Sequence, residues 1–176
     1  MAMPAAFSLK TWIDEHRHLL KPPVCNQVIW RDTEFMVMVV GGPNQRKDYH
    51  VNPTEEFFYQ LEGEMVLKVI DGGEFRDIPI GEGEVFLLPP LVPHSPQRFA
   101  HTVGMVVEHK RPEGEDDHIR FYCECCREII FDHSFYLTDL VTQLKPVMER
   151  FWGNASLREC SECGAVMEPP PAVPAR

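Results

Sequence analysis

Two stretches of the chain decide its fold: GPNQRKDYHVNPTEEFFYQLEG at residues 42–63 and GEVFLLPPLVPH at residues 83–94. Each carries glycine where a tight turn between two strands needs it. Inside this frame lie His50, Glu56 and His94. Two neutral imidazoles and one carboxylate are the facial set that holds non-haem Fe(II) and leaves coordination positions open. The pattern therefore predicts a metal site at which oxygen chemistry takes place.

Strand-like runs surround the two stretches. Each run is short, and each is rich in β-branched or aromatic side chains. The runs are residues 35–40, 56–61, 65–70, 85–88 and 103–107. The pair Asp71-Gly72, between two of the runs, is the best hairpin signal in the chain. Short strands at regular spacing predict a mostly β protein, folded as a sandwich or a barrel.

The regions before and after these strands have a different character. Residues 8–20 read as a helix that Ser8 caps, and residues 140–152 form an amphipathic run that Pro146 is expected to bend or break. Between them, beyond Lys110, a charged segment reads as a linker. We therefore divide the chain into a catalytic unit with the N-terminal helix (1–110), a linker (111–122), a metal region (123–166) and a mobile tail (167–176).

Four of the six cysteines form two Cys-x-x-Cys pairs. They are Cys123, Cys126, Cys160 and Cys163. Two such pairs place four thiolates tetrahedrally around Zn or Fe, and the residues alone do not decide between these metals. Cys125 is an alternative to Cys126, but the two-residue gap favours Cys126, which leaves Cys25 and Cys125 as free thiols. Because four protein ligands leave no open position, we expect a structural role for this site.

Composition excludes several classes of protein. At 176 residues the chain can bury one sizeable core, and its net charge of −10 argues against binding to nucleic acid. It has no apolar run long enough to span a membrane and no secretory signal at its start. We therefore expect a cytoplasmic protein, in which cysteines stay reduced.

The segment from Gly42 to His94 resembles the paired motifs of the cupin superfamily, whose fold is a double-stranded β-helix barrel, or jelly roll. Cupin motifs usually carry a second histidine two residues after the first, and Asn52 takes that place here. The resemblance therefore implies three protein ligands. Further strings along the chain resemble the 3-hydroxyanthranilate 3,4-dioxygenase family. They are Trp12-Ile-Asp-Glu-His16, Leu20-Lys-Pro-Pro-Val24, Val39-Val-Gly-Gly-Pro-Asn44, Glu55-Glu-Phe-Phe-Tyr-Gln60, Phe86-Leu-Leu-Pro-Pro90 and His94-Ser-Pro-Gln-Arg98.

This resemblance implies an Fe(II)-dependent enzyme that opens the ring of 3-hydroxyanthranilate with O₂. The product is 2-amino-3-carboxymuconate semialdehyde, the precursor of quinolinate in the kynurenine pathway of tryptophan catabolism and in NAD biosynthesis. The family's iron ligands fall on His50, Glu56 and His94. The resemblance also implies a homodimer and, as in bacterial and some fungal members, a rubredoxin-like second iron on the four cysteines.

Three charged residues near the ligands gain roles from the same resemblance. Arg98 and Glu108, with the ligand Glu56, align with the residues that contact substrate, and Arg46 aligns with one near the O₂ position. Arg46 and Glu108 are therefore the expected catalytic residues. From the residues alone, a solvated surface charge is the more usual fate of Arg and Glu. A buried substrate carboxylate, however, needs a guanidinium, ideally in a two-pronged pairing.

Two other functions fit parts of the pattern. One is a different cupin oxygenase that acts on a catechol, a gentisate-like ring or a thiol, although a plain catechol needs no clamp for a carboxylate. The other is a non-catalytic cupin binding module that holds Mn or Zn and carries a zinc-ribbon arm for interactions. Metal analysis distinguishes them, because absence of iron from both sites would favour the binding module.

Overall fold

A computed structural model of the protein describes residues 3, 5–22, 25–30 and 33–170. Within these residues, strands dominate and helices lie towards the two ends of the chain. The strands are β1 (Asn26–Trp30), β2 (Phe35–Gly41), β3 (Asp48–Val51), β4 (Glu56–Glu62), β5 (Met65–Asp71), β6 (Glu74–Ile80), β7 (Val85–Leu88), β8 (His94–Arg98), β9 (Val103–His109), β10 (Asp117–Tyr122) and β11 (Ile129–Phe135). The helices are α1 (Leu9–His16), α2 (Leu140–Trp152) and α3 (Ala155–Arg158).

Two antiparallel sheets enclose the main core. One sheet has the strand order β1-β2-β9-β4-β7, and the other has the order β11-β10-β3-β8-β5-β6. Buried side chains from both sheets, such as Phe58 of β4, Val106 of β9 and Leu67 of β5, belong to one cluster between them. The mostly β, double-sheet architecture expected from the sequence is confirmed. One end of this interior carries polar side chains instead of apolar ones, and these form the site described below.

Several local predictions can be compared with this structure. Ser8 caps α1, because its Oγ accepts a hydrogen bond of 3.2 Å from the backbone N–H of Thr11. Asp71-Gly72 joins β5 to β6 in an antiparallel hairpin, as predicted.

Of the two outcomes expected at Pro146, the break does not occur, because α2 runs through this residue, while the bend stays a prediction. Proline has no backbone N–H to donate, but two features stabilise the helix. The side chain of Asp139 caps its start by accepting a hydrogen bond from the N–H of Thr142, and Val147 and Phe151 pack against β10 and β11.

The prediction of a linker at residues 111–122 is wrong for its second half, which forms the strand β10. β10 pairs with β3 on one side and with β11 on the other, so it lies within the second sheet. Its side chains alternate, and Asp117, Ile119 and Phe121 are all fully buried on one face. The charged side chains between them alternate to the opposite face. This part of the chain is therefore part of the sheet.

A second apolar core lies between β10, β11 and α2. Phe121 of β10 stacks on Phe151 of α2 with ring centroids 3.6 Å apart, and Met167 is buried in the same cluster. Met167 begins the predicted tail, so packing extends one residue into it, while residues 171–176 lie outside the described part. The division into four parts remains a prediction. None of the described helices is long and apolar enough to cross a membrane.

Candidate active site

The three expected ligands meet because of strand pairing. His50 of β3 lies directly opposite His94 of β8 in the second sheet. Glu56 begins β4 in the first sheet. One ligand atom from each of the three residues lies within 4.8 Å of the others, and all three residues are buried. The set predicted from the sequence is thus one cluster that could hold a metal.

Neighbouring groups fix the two imidazole rings. His94 Nδ1 lies 3.0 Å from the carbonyl oxygen of Val92, and its Nε2 lies 3.0 Å from Oε2 of Glu56. His50 Nε2 lies 2.6 Å from Oδ2 of Asp117. The Val92 carbonyl and Asp117 lie outside the ligand set, and second partners of this kind orient metal-binding histidines in proteins.

The electrostatics favour the metal-binding forms of His50 and Glu56. Burial lowers the pKa of His50, which keeps its ring neutral. Burial acts to raise the pKa of Glu56, but His94 and His50 outweigh it and hold the pKa below its usual value. Burial acts to lower the pKa of His94, but Glu56 outweighs it and raises that pKa, so the ring of His94 must release its proton when a metal binds. A neutral imidazole and an ionised carboxylate are the ligand forms that a divalent metal requires. The donor set therefore fits a metal with open positions.

Asn52 occupies the place of the missing second histidine. It is fully buried, and its Nδ2 lies 3.5 Å from Oε2 of Glu56. Its Oδ1 finds no hydrogen-bond partner among the described residues. Within the described part of the chain, the cluster of His, Cys, Asp and Glu side chains that could hold a metal here consists of His50, Glu56 and His94.

Arg98 is a buried cation beside these ligands. It lies on the same face of β8 as His94 and is 3% exposed. Its Nη1 donates to Oε1 of Gln60 over 3.3 Å. Within the described part of the chain Arg98 forms no ion pair with a carboxylate, although the charge of Glu56 acts on it from a greater distance. Burial lowers the pKa of Arg98 to about 10. A guanidinium in this state has capacity for an anionic ligand.

The backbone around Arg98 is built to hold it. Asn44 accepts a hydrogen bond of 2.8 Å from the backbone N–H of Arg98, and its own N–H donates to the carbonyl of Arg98 over 3.1 Å. Gly104 of β9 lies against the guanidinium, and a Cβ at this position would collide with Nη1. The absence of a side chain at Gly104 therefore makes room for Arg98.

Arg46 and Glu108 line the same cavity. Arg46 is paired with Asp48, whose Oδ1 lies 3.2 Å from Nε, so part of its charge is compensated. Glu108 of β9 lies directly opposite Glu56 of β4. Burial and the charge of Glu56 raise the pKa of Glu108 to about 7. A carboxyl group with such a pKa can both accept and release a proton near neutral pH.

The cavity therefore has both charged side chains and apolar walls. The apolar walls come from the first sheet, from β8 of the second sheet and from α2. The apolar residues include Met38, Phe58, Val106, Pro96 and Leu144. Sequence reasoning placed the ligands and the three charged residues here, but it missed Asp117, which read as part of a charged linker. No signal in a single sequence distinguishes such a buried carboxylate from a solvated one.

The four cysteines form a second cluster. Sγ of Cys123 lies 3.5 Å from Sγ of Cys163, and Sγ of Cys126 lies 3.5 Å from Sγ of Cys160. All four sulfur atoms lie within 4.8 Å of one another, and Cys125 is outside the set, as predicted. Backbone N–H groups of Cys126 and Cys125 lower the pKa of Cys123 to about 6, whereas burial and neighbouring thiols raise the pKa values of Cys126 and Cys163. A thiolate is the form that binds metals.

Both cysteine turns have the same backbone shape. The residue after each pair, Arg127 in the first and Gly164 in the second, has a positive φ of 67° and 71°. Each donates its N–H to the carbonyl of the first cysteine in its pair, over 2.9 and 2.8 Å. Arg127 also lies over the ring of Phe75, 4.9 Å from its centroid. The arginine therefore adopts the turn that glycine adopts in the second pair.

The family model and the curated relatives that match this chain belong to one family of dioxygenases. A family model described as 3-hydroxyanthranilic acid dioxygenase matches residues 1–152. Among curated relatives, the 3-hydroxyanthranilate 3,4-dioxygenase of Jannaschia sp. is 55% identical, with 97% of each chain covered. That of Neurospora crassa is 53% identical over 92% of this chain and 89% of its own. A solved cupin-2 domain protein from Shewanella frigidimarina aligns with 58% of this chain and 99% of its own, at 19% identity and a TM-score of 0.46.

Proposed function

Because the chain belongs to the 3-hydroxyanthranilic acid dioxygenase family, we propose that it opens the ring of 3-hydroxyanthranilate with O₂. The product is 2-amino-3-carboxymuconate semialdehyde, which leads to quinolinate and NAD. The observation that carries this proposal is the buried guanidinium of Arg98, which lines the ligand cavity without a carboxylate partner in the described part of the chain. A carboxylate-bearing substrate would supply that partner.

The metal of the three-ligand cluster is proposed to be Fe(II). His50, Glu56 and His94 would hold it, since two imidazoles and one carboxylate are the donor set of non-haem iron oxygenases. When bound, Fe(II) would supply three open coordination positions and a route for electrons between an aromatic ring and O₂. The apolar walls of the cavity keep bulk water away from this chemistry.

The remaining side chains have distinct proposed roles. Arg98 binds the substrate carboxylate and thereby sets the orientation of the ring. Glu108 accepts the proton of the substrate hydroxyl, a role for which a pKa near 7 is suitable. Arg46 provides positive charge near oxygen atoms that gain electrons, although Asp48 shares that charge.

Substrate preference tests this proposal. 2-Aminophenol has the adjacent amine and hydroxyl of 3-hydroxyanthranilate but no carboxylate. We expect kcat/KM for 3-hydroxyanthranilate to exceed that for 2-aminophenol by roughly 100-fold, because only the first compound pairs with Arg98. Initial rates with the Fe(II)-loaded protein measure the ratio. Equal values of kcat/KM for the two compounds would show that Arg98 does not bind the substrate carboxylate.

The four-cysteine cluster is proposed to hold a second metal, iron or zinc, in a structural role. All four ligands come from the protein, so the site leaves no position for a substrate.

We further propose that the protein forms a homodimer in the cytoplasm. The resemblance to the family supports the homodimer, and the reduced state needed by four thiolates supports the compartment.

Replacing Cys160 by serine tests the second metal. We expect the bound metal to fall from two ions to about one per chain and the melting temperature to drop by several degrees, because structural metal binding contributes to folding. Elemental analysis and thermal unfolding measure these changes. Cys125→Ser is the matched control, since Cys125 lies between ligands but outside the cluster. Retention of two ions in Cys160→Ser would contradict the assignment.

A further inference from the structure

Arg111 is a buried cation to which the proposed function assigns no role. It follows the end of β9, and its side chain is 2% exposed. All five of its N–H donors can be accounted for by acceptors within 3.2 Å. These acceptors are Oε2 of Glu108, both carboxylate oxygens of Asp117, Oγ1 of Thr54 and the carbonyl oxygen of His109. Such complete engagement fixes the guanidinium in one orientation.

The guanidinium joins two sides of the site. On one side, Nη2 lies 2.7 Å from Oε2 of Glu108, which belongs to the first sheet. On the other side, Nε and Nη2 form a two-pronged pair with Asp117 of the second sheet, at 2.6 and 2.8 Å. Oδ2 of Asp117 in turn lies 2.6 Å from Nε2 of His50. An unbroken chain of contacts therefore leads from Glu108 to a ligand of the three-residue cluster.

This arrangement restricts how Glu108 can act. Its Oε2 is held by Arg111, so Oε1 is the oxygen left for a molecule in the cavity. Asp117 is fully buried and has no solvent to compensate its charge. Without Arg111, two buried carboxylates, Glu108 and Asp117, would lose their shared cation. A buried charge that loses its partner moves or changes its protonation state.

We propose that Arg111, acting with Asp117, is a positioning residue for ring opening: it directs Glu108 towards the substrate and, through Asp117, fixes the ring of the metal ligand His50. The inference rests on the proposed function for the role of Glu108. Its second half, which concerns the metal ligand, does not depend on the identity of the substrate. Lysine cannot replace Arg111 in this role, because an ammonium group lacks the planar, two-pronged geometry.

The alternative is that Arg111 only ties the two sheets together. Arg120 supplies a matched control, because it forms a similar arginine–carboxylate pair in the second sheet. Its Nε, on the outer side of β10, lies 2.7 Å from Oδ2 of Asp132 of β11. Replacing either arginine by lysine removes an arginine–carboxylate pair. Only the replacement at Arg111 disturbs a pair that leads to the ligand cluster.

Metal binding gives the first measurement. Fe(II) bound per chain is determined by anaerobic dialysis against a series of free Fe(II) concentrations, for wild type, Arg111→Lys, Asp117→Asn and Arg120→Lys. We expect the dissociation constant of the three-ligand site to rise by about 10- to 100-fold in the first two variants and to stay within twofold in the control. This result does not require any substrate. An unchanged constant in folded Arg111→Lys and Asp117→Asn would overturn the link to His50.

A double-mutant cycle gives the second measurement. At saturating Fe(II), we expect Arg111→Lys to lower kcat on 3-hydroxyanthranilate at least about tenfold, but to have little further effect when Glu108 is already glutamine, because Arg111 acts through Glu108. Additive losses would overturn the link to Glu108. If wild type itself fails to open the ring, the proposed function fails, while the dialysis result still decides the link to His50.

Thermal unfolding decides whether the variants can be compared. Should Arg111→Lys fail to fold, the isosteric Asp117→Asn carries the dialysis test and takes the place of Arg111→Lys in the cycle. Failure of both variants to fold, with Arg120→Lys folded, would overturn the proposal in favour of a purely structural tie between the sheets.

Discussion

Replacing His50 by alanine is expected to empty the three-ligand site and to abolish ring opening. His50 supplies one of only three protein ligands, and a carboxylate with a single imidazole does not retain Fe(II) against water. We expect one metal ion per chain to remain, on the four cysteines. Activity should fall by at least about 1000-fold, since the reaction depends on the metal for several kcal/mol of transition-state stabilisation. Elemental analysis and initial rates measure both effects.

His18→Ala is the control for this prediction, because His18 is exposed, lies just beyond α1 and is not one of the proposed ligands. It should retain both metals and full activity. A folded His50→Ala protein that still holds two metal ions per chain would refute the ligand assignment. A protein that loses iron but keeps its rate would instead refute the need for metal in the reaction.

Replacing Arg98 by alanine is expected to raise KM for 3-hydroxyanthranilate by roughly 100-fold while the metal content stays unchanged. The substrate carboxylate would be left in a buried cavity without its cation, and truncating one partner of such a pair costs about 2–5 kcal/mol. The ligands themselves do not depend on Arg98 for their hydrogen bonds. Steady-state kinetics with separate metal analysis measure the two quantities.

The loss at Arg98 should be specific to the carboxylate. For 2-aminophenol, which lacks that group, kcat/KM should be similar in wild type and Arg98→Ala. Arg76→Ala serves as the control, since its side chain is 55% exposed on β6. An equal loss with both compounds would show that Arg98 supports the fold of the site and does not recognise the substrate.

The ligands of the site could be predicted because their residue types and spacing carry the information. His50, Glu56 and His94 are unusual together, and the glycines between them mark the turns that bring their strands into one barrel. The same holds for the two cysteine pairs, whose short gap is a property of the tight turn itself. In both cases local sequence determines local geometry, and the geometry determines the chemistry.

Two strands of the site, β3 and β8, could not be predicted because their polar functional side chains replace the usual apolar pattern. β3 reads Asp48-Tyr-His-Val51 and β8 reads His94-Ser-Pro-Gln-Arg98, with polar side chains on the face that points inward. An inward face that binds a metal and a polar substrate does not show the alternation of a hydrophobic core. β10 could not be predicted for a similar reason, because a buried charged residue, Asp117, begins the strand.

Arg111 and Asp117 show the limit of reading charge from a single sequence. They lie in a segment rich in charged residues with Pro112 and Gly114, which is the usual composition of a solvated connection. The pairing of β10 with β3 brings Asp117 into contact with His50, 67 residues away in sequence. The two carboxylate partners of Arg111, Glu108 and Asp117, are close to it in sequence, but all three charges are buried only because the two sheets pack around them. Burial of these charges is therefore a tertiary property.

The most direct measurement is ring opening by the wild-type protein. The protein is loaded with Fe(II) without oxygen and mixed with 3-hydroxyanthranilate, and O₂ is then added while the absorbance of 2-amino-3-carboxymuconate semialdehyde is followed. We expect the semialdehyde to form with one O₂ consumed per substrate molecule, and no product to form in the His50→Ala protein. Absence of the semialdehyde from folded wild-type protein that holds Fe(II) at the three-ligand site would contradict the central claim.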